Sequence, residues 1–310
     1  MNEPIPGMLT IIIPSYNEAE NIKNTAAAVR DTMEKAGIPY EILFIDDGSK
    51  DATWDAIEAE CAECNHTRGV SFSRNFGKEA AIFAGLENSD GDCCVVMDCD
   101  LQHPPEKIIE MYRLWEEGYE VIEGIKSDRG KESALHSACA RLFYDAMSRA
   151  SGIDMRHASD FKLMDRKAVE SITKMNEKHA FFRALSSWVG FKTTAVEFDV
   201  QERTAGTSKW STWSLVRYAI NNISSFTAAP MQAVTFIGVL MLIVSLFFGT
   251  FSLYRKIAGE ALEGFTTVIL LQLFSASVIL IALGVIGYYI AKIYEELKSR
   301  PRYIISKKCR

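Results

Sequence analysis

The sequence has no excess of positive charge: its formal net charge is −6, and no basic stripe with interleaved aromatics runs through it. A nucleic-acid partner needs a cationic face to meet its phosphates, so that class of function is set aside. Its seven cysteines form no disulfide framework. Cys61 and Cys64 make one C-x-x-C without a second pair, which supplies too few thiolates for a structural zinc site. Cys93, Cys94 and Cys99 lie in an apolar strand or at its end, and the expected state is reduced thiols in a cytosolic domain. The first residues lack a basic segment followed by an apolar run, so no cleavable signal peptide is expected. Charge is missing in two further places: neither Met231 to Tyr254 nor Phe265 to Ala291 contains a single Asp, Glu, Lys or Arg.

Those two uncharged runs dominate the last quarter of the chain. Each exceeds the roughly 20 residues needed to cross a bilayer core, and each is read as a membrane span. Mean hydropathy over the whole chain is only +0.01, because the part before residue 230 is an ordinary charged globular sequence. The loop between the runs carries Arg255, Lys256, Glu260 and Glu263, whereas the tail carries Lys292, Lys298, Arg300, Arg302, Lys307, Lys308 and Arg310. The positive-inside rule places that tail in the cytoplasm, and two crossings return the N-terminal part to the same side. The expected location is the inner (plasma) membrane. Before the first span, Trp210 to Thr227 places Trp213, Val216, Ile220, Ile223 and Thr227 near one helical face. That pattern fits either an interfacial helix or a helix packed on the soluble domain, and the aromatic content favours the interface. The expected division is a globular domain over 1–209, an interfacial helix over 210–229, two spans within 230–291 (about 231–254 and 265–291), and a basic cytoplasmic tail over 292–310.

The globular part alternates short β-branched runs with longer helical patterns. Strands are expected at Leu9 to Ile13, Tyr40 to Ile45, Gly69 to Ser73, Cys93 to Met97 and Tyr119 to Ile125. Helices are expected at Glu18 to Lys35 (closed by Gly37), Thr53 to Cys64, Lys78 to Leu86 and Pro105 to Glu117. The fold class is therefore α/β with a mostly parallel sheet. Such sheets bind ligands beyond the carboxyl ends of their strands, and the notable polar residues follow those ends.

Asp98 and Asp100 bracket Cys99 at the end of an apolar strand, with Gln102 and His103 close behind. Two carboxylates so spaced suit a hard divalent cation that leaves positions open for a diphosphate. In an extended D-x-D the Cys99 side chain points away from both, so it is left out of the site. Asp46, Asp47, Gly48 and Ser49 follow another strand, where a carboxylate can accept from a base or ribose, or the segment can be a plain turn. Ser15 and Asn17 can cap the following helix. Lys126 and Arg129 follow the fifth strand, and Arg203 and Lys209 precede the amphipathic segment, with Gly206 between them. Cations there can hold a lipid phosphate or a departing diphosphate, or attract anionic lipid generally.

Taken in order, P-S-Y-N-E, D-D-G-S, R-N-F-G-K-E (Arg74 to Glu79), D-C-D-L-Q-H-P-P-E, S-D-F-K-L-M-D-R (Ser159 to Arg166) and E-R-T-A-G-T-S-K-W resemble glycosyltransferase family 2. With two terminal spans, the resemblance is to its polyprenyl-phosphate glycosyltransferase branch, the dolichol-phosphate mannose synthase and bactoprenol glucosyltransferase type. It covers nearly the whole chain. It implies a GT-A fold and a hexosyltransferase that moves one sugar, with inversion, from a nucleotide sugar to a polyprenyl phosphate. It also implies that Asp98, Asp100 and Gln102 hold Mg²⁺ or Mn²⁺. Pro14, Tyr16, Glu18, Asp46, Asp47, Lys78 and Asp98 would bind the nucleotide sugar, and Lys126, Arg129 and Arg203 the acceptor phosphate. Asp100, Asp160, Arg203 and Lys209 would serve the reaction itself. The Q-x-x-R-W motif of processive relatives is missing, which argues for single transfer. Relatives suggest a homo-oligomer, a tetramer among them.

The expected acceptor simplifies the chemistry. A phosphate monoester has a second pKa near about 6 and is largely dianionic at neutral pH, so it needs little help from a base. Asp160 is then expected to position the acceptor or to stabilise positive charge developing on the sugar. The donor is expected to be UDP-glucose, with UDP-N-acetylhexosamines or GDP-mannose behind it. The alternatives are a transferase using another lipid acceptor, such as a ceramide or diacylglycerol, whose neutral hydroxyl would need a base, and a non-catalytic membrane scaffold. A transporter is disfavoured because neither span carries a charge.

Overall fold

The computed structural model describes residues 7–127, 159–175, 177, 181–199, 229–258 and 264–310. Arg129, Arg203, Lys209 and the amphipathic segment expected over 210–229, apart from its last residue, lie outside the described residues. Two compact units emerge, one holding the globular part together with Arg300–Arg310, the other spanning Thr212–Ser299.

In the first unit, β1 (Leu9–Ser15), α1 (Ala19–Ala36), β2 (Tyr40–Asp46), α2 (Thr53–Glu63), β3 (Thr67–Phe72), α3 (Lys78–Glu87), β4 (Cys93–Val96) and α4 (Pro105–Glu116) alternate along the chain. There follow β5 (Val121–Lys126), β6 (Lys162–Asp165), α5 (Arg166–Thr173), α6 (Phe182–Trp188) and β7 (Thr193–Phe198), and the chain ends in β8 (Ile305–Cys309). The described strands form one sheet in the order β7-β5-β6-β4-β1-β2-β3-β8. β1 pairs in parallel with β2 and β4, and β2 in parallel with β3. This parallel core is buried on both faces, which is why Leu9–Ile13 and Tyr40–Ile45 read as continuous rather than alternating runs. Ile11, Ile13, Ile42, Phe44 and Val95 are all fully buried at its centre. Crossover helices follow from the parallel order, and α1 stops where Gly37 turns left-handed (φ 64°).

Three strands were not expected. β6 runs antiparallel between β4 and β5, and β7 joins β5 in parallel at the far edge. β6 escapes notice because it is only four residues long and opens on Lys162, which is fully buried with its Nζ 3.0 Å from Glu123 Oε1. β8 lies within the expected basic tail, yet it pairs antiparallel with β3. Its lysines face solvent while Tyr303, just before it, stacks on Phe72 at 4.9 Å between ring centroids.

The expectation of reduced thiols is corrected at one pair. Cys309 at the end of β8 is joined to Cys61 of α2 in a disulfide, with their Cα atoms 6.2 Å apart. Register brings them together: Cys309 lies opposite Gly69 in the β3 to β8 ladder, where α2 covers the sheet. Cys64, Cys93, Cys94 and Cys99 are free and buried.

The second unit consists, among the described residues, of α7 (Ala229–Ile257) and α8 (Phe265–Leu297). Both are long and apolar enough to cross a membrane, over Met231–Phe251 and Phe274–Leu297, with mean hydropathies of 2.4 and 2.1. None of the apolar window residues is buried inside the molecule; Phe236, Leu246 and Leu280 are exposed. A helix satisfies its own backbone, so an apolar coat of this kind suits a lipid surrounding.

Candidate active site

The site gathers at the carboxyl ends of β1, β2 and β4. Past β1, Asn17 takes a positive φ of 54°. This lets its N–H reach Ser49 Oγ at 2.9 Å while its Oδ1 accepts from the Lys50 N–H at 2.9 Å. The Glu18 N–H donates to Thr53 Oγ1, also at 2.9 Å. The loops after β1 and β2 are thus stitched together by side chains rather than by sheet pairing.

After β2 the two adjacent aspartates part company. Asp46 is buried and accepts from the Ser49 N–H at 3.0 Å and from Ser71 Oγ at 2.6 Å, a fixed turn. Asp47 accepts from the Phe76 N–H at 2.7 Å and the Gly77 N–H at 2.9 Å, which ties β2 to the start of α3. Burial pushes its carboxyl up to about 6, against the pull of those two N–H groups. Gly48 between the loops has φ 65°, and a Cβ there would meet the Arg74 carbonyl carbon at 2.3 Å, so no other residue fits without displacing backbone.

β4 ends in the D-x-D turn. The Asp98 N–H donates to His103 Nδ1 at 3.1 Å, and the imidazole lies flat on Phe161, 4.7 Å between centroids. Burial holds His103 below the usual histidine range, so it is a neutral acceptor here. Thr25 Oγ1 donates to the Cys99 carbonyl at 2.7 Å, and the Gln102 N–H closes the turn on Asp100 Oδ1 at 3.1 Å. Cys99 itself is buried, as expected of the middle residue.

Lys78, the first residue of α3, links the turn to a more distant carboxylate. Its Nζ lies 2.7 Å from Asp98 Oδ1 and 3.0 Å from Asp160 Oδ2. Partial desolvation opposes the charge of the half-exposed Lys78, but the two carboxylates outweigh it and hold the ammonium above the usual lysine range. Burial likewise opposes ionisation of Asp98 and Asp160; Lys78, joined at Asp160 by Arg183, reverses the balance and holds both below the usual carboxylate range. Arg183 grips Asp160 through Nε at 2.6 Å from Oδ1 and Nη2 at 2.8 Å from Oδ2. Beside Lys78, Glu79 accepts from the Phe182 N–H at 2.9 Å, and burial followed by the Asp160 charge pushes it up to about 7.

These elements border a cleft of about 350 Å³ lined by Pro14, Ser15, Tyr16, Glu18, Asp47, Asn75, Gly77, Lys78, Ala81, Asp98, Cys99 and Asp100. Of the residues expected at the site, Pro14, Tyr16, Glu18, Asp47, Lys78, Asp98 and Asp100 meet here, and Asp160 joins them through Lys78. Asp46 and Gln102 lie outside this lining, and Lys126 ends β5 with an exposed side chain. Arg183, Glu79, His103 and Thr25 carry no expected role from sequence alone. Arg183 was discoverable as a lone cation in the apolar stretch Phe181 to Leu185.

The donor set fits a divalent ion. Asp98 and Asp100 offer hard oxygens on one wall of an open cleft. Among the described residues no group of three or more His, Cys, Asp or Glu is suited to a metal, so such an ion would complete its shell with substrate oxygens or water.

Comparison with known proteins gives these features a family. The model of "Glycosyl transferase family 2" matches residues 10–173. An uncharacterized glycosyltransferase of Bacillus subtilis, YkcC, is 37% identical over 300 residues, covering 96% of this chain and 93% of that one. An SfII prophage-derived bactoprenol glucosyl transferase of Shigella flexneri is 36% identical over 301 residues, covering 96% and 97%. Among solved structures, a mannosyltransferase from Pyrobaculum calidifontis in complex with GDP-Man and Mn²⁺ is 14% identical, with a TM-score of 0.44 and coverage of 90% and 88%. The chain belongs to glycosyltransferase family 2. It is a glycosyltransferase with a GT-A sheet and two C-terminal candidate membrane spans.

Proposed function

We propose that this enzyme transfers one sugar, glucose from UDP-glucose in the favoured case, to the phosphate of undecaprenyl phosphate or a similar polyprenyl phosphate, with inversion. The observation that carries the reading is the state of Asp160. Its two oxygens are engaged by Arg183 and Lys78, which makes it a poor proton acceptor. A neutral lipid hydroxyl would need a base, whereas a phosphate arrives already ionised. The bactoprenol glucosyl transferases among the relatives and the two helices of spanning length support a membrane lipid as acceptor.

In this reading Asp98 and Asp100 would hold Mg²⁺ or Mn²⁺, which when bound stabilises the charge growing on the departing diphosphate. Asp47 and the stitched loops after β1 and β2 form the wall against which the nucleoside lies. Lys78 faces the same space and adds a fixed positive charge where two anions must approach. Lys126, Arg129 and Arg203 are proposed for the acceptor phosphate, and Lys209 for the diphosphate.

Topology supports the same side for the whole catalytic unit. β8 comes after both helices, yet it is hydrogen-bonded to β3. Whatever membrane α7 and α8 cross, the chain before and after them shares one side; the basic residues of the tail favour the cytoplasm, and the Cys61–Cys309 disulfide is the one feature among the described residues that speaks against it.

The test is transfer from a panel of radiolabelled UDP- and GDP-sugars to undecaprenyl phosphate, using purified protein in detergent with Mg²⁺ or Mn²⁺. Label entering the lipid from one donor, lost with EDTA and reduced at least about 100-fold in Asp100→Asn, is the expected result. Unimpaired transfer in EDTA or in Asp100→Asn removes the metal assignment, and no transfer from any donor removes the reading.

A further inference from the structure

Arg183 is not among the residues that line the cleft, yet it is committed to the carboxylate nearest to it. Its guanidinium meets Asp160 with Nε and Nη2 on separate oxygens, at 2.6 and 2.8 Å. This two-pronged geometry fixes the plane of a carboxylate as a lysine could not. Asp160 is only 8% exposed at its side chain, and its Oδ2 also faces Lys78. Charges therefore alternate along a line: Arg183, Asp160, Lys78, Asp98. α3 sets the line at two points, because Lys78 stands within it while the neighbouring Glu79 receives the Phe182 N–H beside Arg183.

We propose that Arg183 is a positioning residue for the transfer reaction, fixing the Asp160 carboxylate and through it holding Lys78 between Asp160 and Asp98 at the cleft. The proposal rests on the transfer reading above. The reason is electrostatic. A buried carboxylate without Arg183 would carry an uncompensated charge and draw Lys78 wholly to itself. Asp98 would then lose its ammonium, and the charge growing on the departing diphosphate would lose a second cation beside the ion that Asp98 and Asp100 would hold. With Arg183 in place, Asp160 is compensated from behind, and Lys78 stays shared and turned toward phosphate oxygens.

Because Arg183 acts through Asp160, its loss should disturb turnover rather than donor binding, and should not add to loss of Asp160. The test compares the full-length wild type with Arg183→Gln, Arg183→Lys, Asp160→Asn and the double variant Arg183→Gln/Asp160→Asn. The assay uses undecaprenyl phosphate and the donor found active in the panel, with thermal unfolding as a check of each fold. Expected is a fall in kcat of about 100-fold for Arg183→Gln with donor KM within about twofold, the scale of a misplaced catalytic group. Arg183→Lys should recover part of the loss, and Arg183→Gln should cost less than about twofold once Asp160 is Asn. Unchanged kcat in Arg183→Gln overturns the proposal, and so does a full, additive loss in the double variant. Should Arg183→Gln fail to fold, Arg183→Lys decides: it keeps the charge without the fork, and wild-type kcat overturns the proposal. A wild type inactive with every donor defeats the transfer reading and the proposal with it. An active wild type whose Arg183→Gln variant is equally fast defeats the proposal alone.

Discussion

Lys78 and Glu79, adjacent in sequence, show how one turn of helix serves two purposes. Lys78 holds two carboxylates at the cleft, whereas Glu79 holds the backbone of α6 from a site where its own charge is disfavoured. Glu79 is raised from an ordinary 4.5 to about 7, so the folded state keeps its proton more tightly than the unfolded state does. Its contribution to stability is unpenalised below about pH 4.5 and becomes increasingly unfavourable as pH rises toward 7. Glu79→Gln keeps an acceptor for the Phe182 N–H and removes the titration. The difference in Tm between Glu79→Gln and wild type should therefore move in favour of the variant between about pH 4.5 and 7. A pH-independent difference would contradict the account of Glu79. At this scale the sequence was readable where residue type and strand position coincide, as at Asp47, Asp98 and Asp100. It was unreadable where a role depends on partners distant in sequence. Arg183 meets Asp160, which lies just before β6, from helix α6, and the backbone contact that Glu79 makes leaves no trace in composition.

Among elements, the strands legible in sequence are those whose apolar runs are uninterrupted. β1, β2 and β4 lie in the parallel core and are buried on both faces. β6 hides its lysine in a buried pair with Glu123, and β8 shows two exposed lysines on a sheet edge, which local sequence cannot tell from a solvated tail. β8 is nevertheless well held. Arg302 donates from Nε to the Glu177 carbonyl at 3.0 Å and lies over the Phe83 ring. Lys308 Nζ donates to Asn88 Oδ1 at 2.9 Å. Deleting residues 303–310 removes this strand, the Tyr303 stack and the Cys61 partner, and bares the β3 edge. An aromatic pair and a few net hydrogen bonds are worth about 2–3 kcal/mol together, which for a domain of this size lowers Tm by at least roughly 4–12 °C, the lost disulfide adding to the fall. Thermal unfolding of the deletion variant checks this, and an unchanged Tm would mean that β8 contributes nothing to the catalytic unit.

For the whole molecule, a sheet that is completed only after two apolar helices constrains the path of the chain. Reporter tags at the N- and C-termini should therefore be equally protected or equally accessible to protease in sealed inverted vesicles. Accessibility at both termini is the expected result for a cytoplasmic catalytic unit, and opposite accessibility would contradict the β3 to β8 pairing. The spans were plain in the sequence because uncharged runs of that length have few other uses. The tail's return to the sheet was not, because it depends on pairing between Gly69 and Cys309, far apart in the chain. The central claim, that the acceptor is an anionic lipid phosphate and needs no base, is tested most directly by changing the acceptor alone. With the active donor held constant, undecaprenyl phosphate should be glycosylated, while undecaprenol and diacylglycerol, which present neutral hydroxyls, should take up no label. Comparable transfer to either alcohol would show that the site activates a hydroxyl, and the part assigned to Asp160 and its two cations would be wrong.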